Sequence, residues 1–556
     1  MFWAVLVLTC LLVVGPATPK PLDQILTAPS GECNTAGHLP ERLVAGQVII
    51  KLDKSLRGLV EPNARKSVIQ VGVPALDELC RRFGVNSFHR IMRHPKPSRL
   101  ALNMGLDMQY LLSFDVSFDV QEVVREFETS PLVEYACPNA LLKLHGQTGT
   151  VPPQEGLSPL VPYDTPDDPR YSQQWHLPRI RAPQAWNIAH GDTNVITTVV
   201  ADGVYWKHPD IEPNLWINHP EDLNHNRRFD ALPPPDGDLD GLDQDDNGYP
   251  DDVIGWNFHN GTPDPAPSSE DEMGTHHIGV QNAVTDNIIG VAAPPWNVRS
   301  MVLKCGAGNV NLAYAIAGIY YSVPEGVRAM CLCFGGPSQH QGMRDACLYA
   351  WQYGTVLCAP SGNWVEVRYP AAYEGVLAVT ATDTSDHIIG SSAWWVDIAA
   401  PGLSILSTNG PDGYGYWSGT TSASNVALGA IAWLKSAYPQ MNNEDIVDTL
   451  LARADTIGHY RIRRVAMVRD SASGIVEHHE TRAWPTVLPP TICRGVLLLP
   501  DSQDVDLLDI TGRKVMDLKP GENDVRHVAP GVYFIRRPET EDGRPSTAVR
   551  KIVIQR

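Results

Sequence analysis

The stretch Trp417-Ser418-Gly419-Thr420-Thr421-Ser422-Ala423 decides how this chain is read. It reads as a nucleophile turn: a glycine and two hydroxyl residues lead into a small-residue helix through Ala427, Gly429, Ala430 and Ala432. Upstream lie two further segments of the same character. One is Val199-Val200-Ala201-Asp202-Gly203-Val204, running into His208-Pro209-Asp210. The other is Met273-Gly274-Thr275-His276-His277-Ile278-Gly279.

In this order and spacing the three segments resemble the subtilases, the subtilisin-like serine peptidases. That family reads D-[ST]-G with a downstream H-P-D, then H-G-T-H-V-A-G, then G-T-S-M-A. Laid over those motifs, the aspartate position is Ala201, the histidine position Met273 and the serine position Thr421. A serine peptidase needs a hydroxyl nucleophile, an imidazole to take its proton and a carboxylate to orient that imidazole. Ala201 has no carboxylate and Met273 no basic nitrogen. Thr421 keeps an oxygen, but its β-methyl restricts χ1 and no base is placed to activate it. Asp202 follows Ala201 at a strand end and is expected on the opposite face. His276 is expected a helical turn from Met273, about 5 Å displaced, and Ser422 is expected to point away from the Thr421 position. The expectation is a degenerate triad in an intact scaffold.

The resemblance implies two further parts of the site. Pro360-Ser361-Gly362-Asn363 is similar to the segment whose asparagine donates to the oxyanion, which makes Asn363 that donor; a turn asparagine is the alternative. Cys333, Phe334, Gly335 and Gly336 match the strand lining the substrate cleft, where glycines leave the backbone open for an extended peptide to pair.

The 556 residues imply two or three domains, and the composition is that of a globular protein. A net charge of −19 argues against a nucleic-acid partner. Phe2–Val14 is apolar and too short to span a bilayer, so residues 1–17 read as a signal peptide, although no lysine or arginine precedes the run. Ten cysteines, one inside that signal, show no CxxC pair and read as buried small apolar residues rather than as a redox or zinc framework. The histidines show no metal-ligand spacing either.

Residues 42–145 read as a small α+β unit of the order strand–helix–strand–helix–strand, resembling a subtilase prosegment. Residues 146–167 are a Pro/Gly-rich linker. Residues 168–465 alternate buried apolar strands with helices, the sign of a mainly parallel sheet in a three-layer α/β domain of subtilisin-like fold. After a linker at 466–490, residues 491–556 carry short strands with turn signals, read as a small β-sandwich. That tail resembles the C-terminal sorting domains of type IX secretion cargo. The resemblance implies outer-membrane export machinery as a partner and a secreted or cell-surface location.

Acidity concentrates between Glu221 and Asp252. Asp222 to Asp230 alternates oxygen-bearing side chains but has Arg227 where a calcium loop wants glycine. Asp243, Asp245, Asn247, Asp251 and Asp252, around Gly248, form a second cluster that reads equally as a structural Ca²⁺ site and as a solvated acidic insertion. No cofactor is required by any of this.

By family, the chain is a secreted serine endopeptidase. By its own residues it is expected to be a pseudopeptidase that keeps a cleft for an extended peptide or protein without efficient hydrolysis. A residually active endopeptidase and a surface structural or adhesion protein with a vestigial cleft are the other two readings.

Overall fold

The computed structural model describes residues 42–60, 69–144, 147–148, 163–268, 273–362, 366–393, 395–457 and 462–469. From 492 onward it describes the strands and short turns of a last module. Residues 1–41, with the signal peptide expected there, and most of the expected linkers lie outside the described residues.

The first unit holds β1 (Arg42–Leu52), α1 (Pro74–Arg82), β2 (Ser87–Arg90), α2 (Arg99–Met104), β3 (Gln109–Ser113), α3 (Val120–Glu128) and β4 (Val133–Leu144). The strands form an antiparallel sheet in which β1 lies between β3 and β4, with β2 outside β3. Its helices bury Leu76, Cys80, Val123 and Phe127 against one face, and Asp119 caps α3 by accepting from Glu122 N at 3.0 Å. The segment β5 (Gln147–Thr148) follows.

The second unit is built on a nine-stranded sheet. Its strands are β6 (Ile196–Ala201), β7 (Gly255–Asn257), β8 (Arg299–Lys304), β10 (Val327–Leu332), β12 (Val356–Pro360), β13 (Val376–Thr382), β14 (Ile398–Pro401), β17 (Asp455–Thr456) and β18 (Arg463–Arg464). In space they run β17-β18-β14-β13-β12-β10-β6-β8-β7, parallel throughout except for the β17–β18 pair. The continuous apolar runs expected of a sheet buried on both faces are these strands: Val199, Val302, Cys331, Cys358 and Val379 all lie in the core. The helices are α4 (Gly274–Asn282), α5 (Leu312–Ser322), α6 (Gln341–Tyr353), α7 (Thr420–Ala437) and α8 (Asn443–Arg453). One face carries α4 and α7, with Val426, Leu428, Ile431 and Trp433 buried; the other carries α5 and α6.

Three short strands complete the unit: β9 (Asn309–Asn311), β11 (Phe334–Gly335) and the β15 (Ile405–Asn409)–β16 (Gly413–Ser418) hairpin. The last module contains β19 (Ile492–Cys493), β20 (Val496–Leu499), β21 (Val505–Leu508), β22 (Lys514–Leu518), β23 (Gly521–Asp524), β24 (Gly531–Arg536) and β25 (Val549–Ile554). They form a five-stranded sheet, β19-β25-β24-β21-β22, and a β20–β23 pair.

The face of the first sheet away from α1 and α3 packs onto α5 and α6 through polar groups that bond directly to one another. Tyr320 Oη donates to Gln109 Oε1 at 3.0 Å and Gln109 Nε2 to Tyr135 Oη at 2.5 Å. Asn139 Oδ1 accepts from Ala313 N at 3.1 Å, sharing the N-terminus of α5 with Asn311. The ammonium of Lys51, 4% exposed, donates to Asp345 Oδ2 at 2.9 Å and Glu134 Oε1 at 3.2 Å. Asp345 is the buried partner and Glu134 is half in solvent, so the pair stands or falls with Asp345. Asp345→Ala is expected to cost about 3–5 kcal/mol, because it strands a buried cation. Urea denaturation checks it; a loss below about 1 kcal/mol would show that Glu134 alone satisfies the ammonium.

Candidate functional site: a cleft filled by the chain itself

Each of the three motifs stands at an end of an element, one where a strand stops and two where a helix starts. Ala201 is the last residue of β6, Met273 is the N-cap of α4 and Thr421 is the second residue of α7. Helix α4 packs against both α7 and the end of β6. The approach is close enough to demand glycine. A Cβ on Gly274 would sit 2.1 Å from Gly203 O, and one on Gly279 would sit 2.1 Å from Thr408 Oγ1. Gly419, at φ 143°, turns β16 into α7 and donates to Gly402 O at 2.8 Å.

The carboxylate of Asp202 caps α4, accepting from Met273 N and Gly274 N, both at 3.1 Å. Burial pushes its pKa up, and those two N–H groups pull it back. The N-terminus of α4, which packs against the same cluster as Ala201, meets the Asp202 carboxylate. His276 turns to β15, donating from Nε2 to Ile405 O at 2.9 Å, and burial pushes it down to about 3. Ser422 Oγ is buried without a hydrogen-bond partner. Asn363 lies outside the described residues. Sequence reasoning passed over His277. It lies four residues after Met273, so helix spacing puts it on the same face, one turn deeper; its amide donates to Met273 O at 3.1 Å.

The cleft expected along Phe334 and Gly335 already contains a strand. Strand β4 runs past the first unit, and its end pairs antiparallel with β11 (Phe334 with Leu144, Gly335 with Lys143) and with β9 (Lys143 with Asn309, Leu142 with Val310, Leu141 with Asn311). Lys143 is therefore paired on both sides. Beyond it, β5 pairs with β16, Thr148 with Trp417 and Gln147 with Ser418, three residues before Thr421. The chain thus occupies one bank at Leu144 and the next at Gln147. Gly336 bridges to Tyr369, N–H to carbonyl at 2.9 Å in both directions. Cys333 is wholly buried, with its sulfur turned into the core.

The acidic insertion forms two loops with one hydrogen-bond pattern. Asp243 accepts from Asn247 N and Gly248 N, Asp245 from Asn247 N, and Asn247 from Tyr249 N. In the same way Asp222 accepts from Asn226 N and Arg227 N, Asn224 from Asn226 N, and Asn226 from Arg228 N. Arg227 takes the left-handed conformation, φ 62°, that Gly248 takes at φ 95°. In the second loop the carboxylates that converge are those of Glu221, Asp243 and Asp245. Asp251 is held by Asp240 N and Gly241 N, and Asp252 by Asn218, Asn247 and the Tyr321 hydroxyl. Glu221, absent from the expected ligand set, joins the converging group and itself accepts from Gln244 N, Asp245 N and Asp251 N. Burial pushes Glu221 up to about 7 and Asp252 to about 8.

The pattern of the subtilase family matches residues 192–480. The chain belongs to the subtilases. It is 26% identical over 450 residues to the thermophilic serine proteinase of Bacillus sp. (strain AK1), covering 80% of this chain and 88% of that one. It is 30% identical over 286 residues to thermitase of Thermoactinomyces vulgaris, covering 50% of this chain and 88% of that one. In fold it is similar to fervidolysin from Fervidobacterium pennivorans, a keratinolytic enzyme related to subtilisin. The TM-score is 0.59 at 18% identity, over 90% of this chain and 71% of that one. Among the described residues of this subtilase no helix is long and apolar enough to cross a membrane.

Two buried imidazoles give this subtilase an acid-sensitive interior. His176, wholly buried with no partner on either ring nitrogen, is pushed by burial to about 3, as is His276. A folded pKa below the unfolded value of about 6.5 means that the unfolded chain binds the extra proton. The stability present above pH 6.5 is therefore lost as pH falls toward 3, at about 1.4 kcal/mol per pH unit for each histidine. His176→Phe should flatten the pH dependence of the urea midpoint between pH 6.5 and 4.5 by about 2–3 kcal/mol. An unchanged slope would place the acid sensitivity elsewhere.

Proposed function

We propose that this subtilase is a pseudopeptidase: it keeps the family's cleft, holds an extended strand of its own chain in it, and does not hydrolyse peptides efficiently. The observation that carries the reading is the pairing of Lys143 and Leu144 with β9 and β11, joined within two residues to β5 on β16. Gln147 and Thr148 thus lie on β16, which leads into the turn before Thr421. At the three positions that would cut a strand in the cleft stand Ala201, Met273 and Thr421. Asp202 and His276, the nearest carboxylate and imidazole by sequence, are committed to the N-terminus of α4 and to Ile405 O. Without base and orienting acid, only oxyanion donors and binding remain, about 10³–10⁴-fold over water.

Purified protein should take no label from a fluorophosphonate, and its intact mass should show residues 42–148 still joined to the remainder. Casein cleavage abolished by Thr421→Ala would overturn the reading. The triple variant Ala201→Asp/Met273→His/Thr421→Ser should cut itself between Leu144 and Gln147. That result would show that chemistry, not geometry, is what the chain lacks.

Three further parts belong to the same reading. The cleft's partner is an extended peptide, in the first instance the chain's own strand. Export rests on the apolar N-terminus and on the tail's likeness to type IX sorting domains; deleting residues 491–556 should abolish surface display. A structural Ca²⁺ fits the second acidic loop, because an all-oxygen set from Glu221, Asp243 and Asp245 surrounds one point and Gly248 makes the required turn. Calcium at about 100 times its dissociation constant should stabilise the fold by about 2.7 kcal/mol and raise Tm by about 3–5 °C over the EGTA-treated protein. An Asp243→Asn/Asp245→Asn variant should not respond, and an equal response would remove the ion from this loop.

A further inference from the structure

A cavity of about 620 Å³ lies among the start of β10, the C-terminal ends of α6 and α7 and the N-terminus of α8. It is remote from the cleft. Lys435, in the last turn of α7, stands about 21 Å along that helix from Thr421. Arg328 is the second residue of β10, which runs parallel to β6, so it lies at the opposite end of the strands from Ala201.

Arg328 and Lys435 both line this cavity, and neither is ion-paired among the described residues. Nη1 of Arg328 is buried without a hydrogen-bond partner. The backbone places this residue. Val327 pairs with Ile196 and Ala329 with Thr197, so Arg328 is the extra residue of a β-bulge, a feature that re-aims a side chain. The ammonium of Lys435, 9% exposed, donates to two neutral oxygens, Gly354 O at 3.3 Å and Asn443 Oδ1 at 2.8 Å. Burial, with the Arg328 guanidinium second, pushes its pKa down to about 8. The eleven-residue α8 begins on the same cavity at Asn442 and Asn443, and its dipole adds to the positive field there.

A buried cation without a counter-ion is costly, and an anion held between two of them offsets that cost for both. We propose that this cavity binds a small carboxylate with an apolar body, its head between Arg328 and Lys435. A guanidinium fork takes a carboxylate through two parallel hydrogen bonds, and the ammonium adds a third donor. Trp351, Tyr438 and Met441, each half-buried, line the same cavity and supply the apolar cover for the body. Inorganic phosphate fits less well. It has nothing to lay on those side chains, and its second charge meets Asp192 and Glu444, the two carboxylates that also line the cavity. Asp192 is itself held by the backbone and side-chain nitrogens of Asn194, both at 2.9 Å.

The site is independent of whether the cleft binds or cuts peptides, so its failure would leave that reading untouched. Isothermal titration of the full chain with 3-phenylpropanoate, its neutral amide and inorganic phosphate tests it. One equivalent of the carboxylate is expected to bind, about tenfold or more tighter than either the amide or phosphate. Arg328→Gln and Lys435→Gln should each weaken it by about tenfold or more, and Arg82→Gln, in the first unit, should leave it unchanged. No saturable binding, equal affinity for carboxylate and amide, phosphate bound as tightly, or an unchanged affinity in Arg328→Gln would each overturn the proposal. Should the substituted chains fail to fold, the comparison of carboxylate with amide on the wild-type chain decides.

Discussion

The contact on which the rest of the site depends is the cap that Asp202 places on α4. Two backbone N–H groups at the start of a helix have no intrahelical acceptor, and burial denies them water. A carboxylate at the end of β6 satisfies both, and the helix dipole favours its charge. This ties the helix to the sheet at one point. The bare backbone of Gly203 and Gly274 lets the two elements touch there, and Ser407 and Thr408 hold the next turn of α4 through the carbonyls of His276 and Thr275. The scaffold is therefore held here by contacts other than the side chains of Ala201, Met273 and Thr421.

The first unit is bound to the second by a different logic. Its sheet meets α5 and α6 through a buried ammonium, two tyrosine hydroxyls and two amides, each with a named partner. Such a set fixes register more than it adds stability, since each group gives up water to form its bond. Fixed register matters because β4 continues from this interface into the cleft. A slip of one residue would reverse which side chains of β4 face α3 and which face α5 and α6.

Much of the fold was legible because it is local. The parallel strands announce themselves as apolar runs, and the three motifs announce the loops between them. The end of β4 was not, since the partners of residues 141–144 lie about 165–190 positions downstream and Asn139 and Pro138 interrupt any alternation. That a helix start arrives at the Asp202 carboxylate is a tertiary fact. His277 was within reach of helix periodicity, which counts four as readily as three. Arg227 was discounted for want of glycine. The loop nevertheless takes the left-handed turn, because four backbone N–H bonds to Asp222, Asn224 and Asn226 hold it there.

The strand that fills the cleft also changes what concentration means for any outside ligand. A tethered segment competes as though it were present at roughly millimolar level, whatever the dilution of the protein. It is paired on both flanks at Lys143, so it cannot yield one edge while keeping the other. An incoming peptide therefore meets a competitor that never diffuses away. Affinity measured on the intact chain reports the difference between two strands rather than the strength of either.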